Sequence, residues 1–455
     1  MSSGNPAPFA PAERRQLFRF CLYGFLKNQQ YYEWFIILAF RDKGLSFTAI
    51  AGLFAFSRVC INLLEIPTGA VADAWGRRRT MIASFSAYIV AFLALAFAPG
   101  YWALFPAMMF YSAGEAFREG THKAMIFDWL TRLGRAGEKT RIYGVTRSWS
   151  KIGSALSIVV AAAIVVATRD YRWVFVLSTV PFAANIVNFL CYPKYLDGDC
   201  EVRRLPGEAA ARLWSGVKLV GTRPALRGLI VESMCFEGIF EAAKDFIQPL
   251  VKAVAAVALL AWLPEMKSFD EMIRTAFLMV IVVVPLSLAA SLASRQSHRA
   301  ASSCGGEDRL ASWLWVVALA LYLGTGAALL AGVGALAILG FVLLTSVQNV
   351  WRPTLTARYY CHAETGSAAT TLSVESQARG LAAAAILPVL GVAVDRLSGG
   401  AKPVPAESLW PVAAAGVLFC LLGLLINLRM RSRAVAVAGA EATTDGSGGN
   451  RSTEA

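Results

Sequence analysis

Glu115, Arg118, Glu119 and His122 recur at positions i, i+3, i+4 and i+7 of a stretch whose other residues are mostly apolar. That spacing predicts a single stripe on one helix. A second stripe comes in the other half of the chain, Glu237, Glu241, Lys244 and Gln248, with Asp245 beside it. Lys27, Gln30 and Glu33 share a side of the first apolar stretch, and Gln348, Asn349 and Arg352 cluster in a later one. Groups of these kinds can hold a polar or charged solute and relay a proton. A desolvated carboxylate gains or loses its proton as a nearby base moves, and guanidinium groups such as Arg118 and Arg352 hold anions. No nucleophile and base are spaced for covalent chemistry, so no catalytic residue and no enzyme is expected. Three histidines and eight scattered cysteines without a Cys-x-x-Cys pair predict neither a metal site nor another cofactor. The phosphate-cradling loop Gly-x-x-x-x-Gly-Lys-Ser/Thr is missing, which argues against an ATP-driven pump.

The elements carrying these residues must cross a bilayer. Of the 455 residues 56% are hydrophobic and only 16% charged, against roughly a quarter charged in a soluble protein. Mean hydropathy is +0.53. Runs such as 152–167 and 276–293 come near or exceed the ~17 residues that span the hydrocarbon core. A soluble enzyme is excluded, and so is a membrane β-barrel, which needs short alternating segments. In such a chain a charge at a helix centre costs about 2.5–3.5 kcal/mol to insert. The striped residues are therefore expected to face protein or a water-filled cavity. The net charge of +13 fits cytoplasmic loops that set orientation better than it fits nucleic acid.

Six spans are expected before the middle, at about 20–40, 48–71, 80–98, 102–128, 146–167 and 172–192. Six more follow at about 228–250, 271–293, 311–329, 332–356, 371–395 and 408–428. The resulting organisation is a tail (1–19), a six-helix bundle (20–192), a basic linker (193–227), a second bundle (228–428) and a disordered Gly/Ser-rich tail (429–455). Segment 249–263 reads as a kinked or interfacial end of the seventh span. Lys and Arg in the segments assigned to the inside outnumber those outside by more than two to one, which places both termini in the cytoplasm.

Between the second and third spans stands Gly69-Ala-Val-Ala-Asp73-Ala-Trp-Gly76-Arg77-Arg78-Arg79. This segment resembles the signature loop of the major facilitator superfamily, and the twelve-span pattern extends the resemblance over the whole chain. A degenerate copy, Ala293-Ser294-Arg295-Gln-Ser297-His298-Arg299, lies at the matching place in the second half. Other weak echoes, such as Ser148-Trp-Ser-Lys151 and Ser376-Gln-Ala-Arg379, favour an internal duplication. Gly391…Asp395-Arg396 mimics the signature on the opposite side and is set aside. The fifth span lacks the Gly-Pro-x-x-Gly-Gly pattern of many drug/proton antiporters, and 114–123 resembles a poorly characterised bacterial branch.

The resemblance implies an all-α integral membrane fold of 12 transmembrane helices. Its two six-helix bundles would be related by pseudo-twofold symmetry around a central cavity lined by spans 1, 4, 7 and 10. It implies a secondary transporter, monomeric, in the bacterial inner (plasma) membrane, moving a small polar or charged solute by alternating access, with protons as the coupling ion. Gly69, Asp73, Gly76, Arg77, Arg78 and Arg79 would gate it. The substrate and proton-coupling candidates are Lys27, Gln30, Glu33, Glu115, Arg118, Glu119, His122, Glu237, Glu241, Lys244, Asp245, Asn349 and Arg352. The alternatives are an exporter of amphiphilic drugs or lipids, which the charge density opposes, and a transporter-like sensor that binds without turnover.

Overall fold

The computed structural model describes residues 9–118, 121–135, 138–197, 206–256, 263–362, 368–401 and 404–447. Among them every regular element is helical. The first half holds α1 (Pro11–Lys27), α2 (Ile36–Asp42), α3 (Phe47–Trp75), α4 (Arg77–Phe97), α5 (Tyr101–Arg118), α6 (Thr121–Arg132), α7 (Lys139–Thr168) and α8 (Arg172–Leu190). The linker carries α9 (Pro206–Thr222). Beyond it come α10 (Pro224–Ser233), α11 (Ile239–Ala243), α12 (Ile247–Ala256), α13 (Glu271–Ser303), α14 (Glu307–Leu330), α15 (Gly334–His362), α16 (Ala368–Ser398) and α17 (Trp410–Ser447).

Nine helices among the described residues are long and apolar enough to cross a membrane. The expected first, fourth and seventh spans are not among them; the first and seventh are interrupted where their polar residues gather. The first, read as one helix over 20–40, is two. α1 ends at Lys27, where the Asn28 side chain donates to the Gly24 carbonyl at 2.6 Å, and turns fill 28–35 before α2. The fourth, read over 102–128, is described as α5 and α6. The seventh, read over 228–250, passes from α10 through a π-helical turn at Met234–Gly238 to α11, then a 3₁₀ turn at Lys244–Phe246 and α12. At the C-terminus α17 continues to Ser447, through the start of the segment that composition assigns to a disordered tail. Its Ala, Arg and Glu residues after 429 are good helix formers.

The chain forms two compact units. The first comprises Met1–Arg212, Gln248–Ser287 and Leu387–Ala406; the second comprises Leu213–Ile247, Leu288–Ile386 and Glu407–Ala455. In the first, α4 packs on α5 and α8, and α1 on α7. An aromatic core of Phe85, Tyr88, Phe92, Phe175 and Phe182, each buried to within 2%, fills the space. In the second, Phe236 stacks on Trp351 at 4.3 Å between ring centres, and Trp315 meets Trp351 edge-on at 5.0 Å. The outer faces carry exposed Leu63, Phe97, Val180, Val389, Leu418 and Leu425, the apolar surface that lipid requires.

One contact lets α1 and α7 approach closely. A Cβ on Gly153 would stand 2.5 Å from the Phe25 carbonyl oxygen, and backbone cannot yield as a side chain would. The same turn of α7 accepts from the buried Gln29 amide at the Gly153 carbonyl, 3.0 Å away. Gly153→Val is therefore expected to destabilise the protein by about 1–3 kcal/mol through overpacking. Thermal unfolding of the detergent-purified variant checks this, and an unchanged Tm would contradict the close packing.

Candidate functional site

In the first unit the break after α1 opens one side of a cavity of about 630 Å³. α1 contributes Lys27 and its capping residue Asn28, α5 contributes Arg118, α6 contributes His122 and Lys123, and α7 contributes Tyr143, Arg147 and Lys151. Arg118 is held from two sides. Its guanidinium pairs with Glu115 at 2.5 Å and donates to the Tyr88 hydroxyl at 3.3 Å. His122 stacks on Tyr23 with ring centres 3.7 Å apart. Asn28 is fixed by its own helix and accepts from the Ser154 hydroxyl at 3.4 Å. The result is a strongly basic, partly aromatic chamber of a size suited to a metabolite.

The second unit holds a different cluster. Glu375 on α16 is fully buried, takes a two-pronged contact from Arg352 on α15 at 2.7 and 3.1 Å, and accepts from the Ser233 hydroxyl. Glu237, also fully buried, sits on the π-helical turn, a feature frequent at functional sites. It accepts from the Gln348 amide at 3.0 and 3.3 Å, and its nearest guanidinium, Arg379, stands 3.7 Å away. Nearby, Arg358 at 3% exposure pairs with the wholly buried Glu232 at 2.7 Å and with Asp308, also at 2.7 Å. Asn427 donates to the same Glu232 carboxylate, so the network ties α10, α14, α15 and α17 together.

At the signature loop, Gly76 adopts φ +96°, a conformation that L-residues with side chains rarely take. This lets the chain turn sharply from α3 into α4. Arg77 pairs with Asp128 of α6. The Arg78 backbone N–H donates to Asp197 at 2.9 Å and its guanidinium faces the same carboxylate at 3.4 Å. Arg79 is exposed. The Asp395 segment, set aside in the sequence, makes a defined contact of its own. Its carboxylate accepts from the N–H groups of Phe47 and Thr48 at 2.9 and 2.7 Å and from the Thr48 hydroxyl at 2.7 Å. An anion there suits the positive end of α3. Gln248 likewise accepts from the Ile37 N–H at 3.1 Å and donates to the Glu33 carbonyl at 2.9 Å. Outside the spans, Lys43 donates to the Ala96 and Ala98 carbonyls at 3.0 and 3.3 Å. Burial, with Arg172 adding to it, lowers this ammonium group below its ordinary range.

Of the residues singled out by spacing, Lys27, Arg118 and His122 line the cavity and Glu115 braces it. Glu33 is exposed and Gln30 half-buried on the turn after α1. Arg352 and Glu237 belong to the buried cluster. Glu241 and Lys244 pair with each other at 3.0 Å, and Asp245 is half-buried beside them. Asn349 donates to the Thr345 carbonyl of its own helix at 2.8 Å. The stripe 237–241–244–248 is not a continuous helical face, because the π-helical and 3₁₀ turns change its phase. Glu119 lies outside the described residues, as do the surroundings of Gly69 and the side chains of Asp73, Arg295 and His298. Spacing alone undervalued Glu375 and Arg379, and Arg147 and Lys151, each a pair of charges four apart in an apolar run. It passed over Glu232, whose position inside a span was signal enough.

The family model of the Major Facilitator Superfamily matches residues 30–385. A comparison with curated protein sequences finds no match. Among solved structures, a variant of the nucleoside transporter NupG superposes with a TM-score of 0.73 at 11% identity, covering 90% of this chain and 99% of that one. A bacterial homologue of the human lysosomal transporter Spinster, inward-facing and occupied, gives 0.68 at 14%, over 94% of this chain and 98% of that one. A POT family transporter bound to a thioalcohol-conjugated peptide gives 0.62 at 14%, over 91% and 96%. At these identities the likeness is one of fold.

Proposed function

Because this chain belongs to the major facilitator superfamily, a family of multi-pass membrane transporters, we propose that it moves a small polar or charged solute by alternating access and couples that movement to protons. The observation that carries this reading is the polar cavity at the break of α1, walled by charged side chains in segments otherwise apolar. A lipid or drug exporter would line such a chamber with apolar groups. The two bundles of the proposal are 20–192 and 228–428, twelve spans in all, with both termini in the cytoplasm of a bacterial inner membrane and the protein acting as a monomer. Glu237, fully buried with its nearest guanidinium, Arg379, 3.7 Å away and no two-pronged ion pair of its own, is the carboxylate suited to carry the coupling proton. Glu241 suits that role less, because Lys244 pairs with it.

A thermal-shift screen of purified protein against small metabolites tests the binding step. A ligand at 100 times its Kd is expected to stabilise by about 2.7 kcal/mol. Stabilisation by amphiphiles and by no polar solute would favour the exporter instead. The signature loop allows a second test. Arg77→Ala removes the tie to Asp128 without touching a cavity residue. It is expected to slow transport while leaving solute affinity within about twofold, because the loop acts on the equilibrium between states. An equal loss of affinity in the folded variant would contradict that role.

A further inference from the structure

The segment Gly391…Asp395-Arg396 has the Gly-x-x-x-Asp spacing of the signature loop, and the transport reading leaves it without a role. Two stretches from the second half of the chain, 248–287 and 387–406, fold with the first unit, and the latter brings this segment onto α3. A Cβ on Gly391 would stand 2.7 Å from the Phe47 carbonyl oxygen and 2.9 Å from the Ala51 Cβ, so the two helices meet with no side chain between them. One turn further on, Asp395 accepts from the Phe47 and Thr48 N–H groups and the Thr48 hydroxyl. α3 also has a local cap, because the Ser46 hydroxyl accepts from the Ala49 N–H at 3.1 Å. Thr48 is exposed and Asp395 half-buried, so water can take over these bonds when the segment leaves.

The other stretch docks in a similar way. Gln248 bonds the Ile37 N–H and the Glu33 carbonyl, polar groups at the start of a helix and on a turn. Asp270 pairs with Arg169, the one residue other than glycine with a positive φ among those described, at +52°. Strained backbone of this kind gathers at switch regions, although an ion pair this exposed holds little by itself. Resting on the transport reading and the orientation proposed above, we infer that Gly391 and Asp395 form a reversible latch that shuts the outer end of the transporter, with Gln248 as its second contact. The charge of Asp395 at the positive end of α3 supplies the attraction. The bare surface of Gly391 sets the distance at which it acts. Opening the outer end requires Asp395 to leave Phe47 and Gln248 to leave Ile37 in one movement.

Hydrogen–deuterium exchange of the full-length protein in detergent, with no solute added, tests the latch, because exchange reports how easily each region opens. Asp395→Ala is expected to speed exchange about tenfold, the size of effect a lost helix cap produces, in peptides holding Phe47 and Thr48. The same rise is expected in peptides holding Ile37, which Asp395 does not touch, while α14 and α15 of the second unit exchange as in wild type. Asp395→Asn keeps the shape and one acceptor. It should show the same pattern at smaller size, and it carries the test if the alanine variant does not fold. Faster exchange confined to the first turn of α3 would make Asp395 a simple cap and overturn the latch. Unchanged exchange would overturn it too, as would an equal rise in α14 and α15, which is general loss of structure. None of these readings needs a transported solute. Failure of counterflow with the latch pattern present sinks the transport reading alone, and counterflow with the Ile37 peptides undisturbed sinks the latch alone.

Discussion

Arg358→Met is expected to destabilise the protein by about 3–5 kcal/mol, the cost of leaving a buried charge without its partner. Arg358 and Glu232 are 3% and 0% exposed and meet at 2.7 Å. Methionine keeps much of the volume but strands the Glu232 carboxylate, with the Asn427 amide, at 3.2 and 3.4 Å, left to satisfy it. The contact to Asp308 is lost as well, although at the exposed end of the network it contributes less. Glu232→Gln combined with Arg358→Met should recover much of the stability, since an amide needs no counter-charge. The coupling energy from the double-mutant cycle measures the pair. A single variant as stable as wild type would show that the network is not what ties α10 to α15.

Glu237→Gln should abolish uptake driven by a pH gradient while leaving solute exchange intact. The amide preserves shape and can still bond Gln348 across the 3.0 Å contact, but it cannot take up or release a proton. Glu375 is the control within the same cluster. Its two-pronged contact with Arg352 at 2.7 and 3.1 Å makes it a structural anion, so Glu375→Gln should cost stability rather than coupling. pH-driven uptake by folded Glu237→Gln at the wild-type rate would remove Glu237 from the coupling step.

Much of this was legible in the sequence because a bilayer penalises charge so heavily. Glu115, Arg118 and His122 announce a shielded chamber simply by standing in an apolar stretch, and the structure sets them at or beside one. Hydropathy also marked the nine long apolar helices found among the described residues. What spacing could not supply was the phase of the interrupted ones. A stripe at i, i+4, i+7 and i+11 assumes 3.6 residues per turn throughout, and the turns at Met234–Gly238 and Lys244–Phe246 break that assumption. Glu237 thus joins Gln348 and Arg379, while Gln248 bonds the backbone of Ile37 and Glu33. Partners distant in sequence were equally hidden. Nothing around Asp395 indicates that it caps the helix beginning at Phe47, nor around Glu232 that its counter-ion is Arg358.

The central claim is that the cavity serves transport, and counterflow in proteoliposomes tests it most directly. Vesicles holding the purified protein are loaded with an excess of an unlabelled solute that stabilises it, then diluted into a trace of the labelled form at equal pH on both sides. The account predicts transient accumulation of label above its equilibrium level, absent from protein-free vesicles and reduced by Lys27→Gln. Binding of the solute in detergent with no accumulation of label would contradict it, and would make the protein a receptor built on a transporter fold.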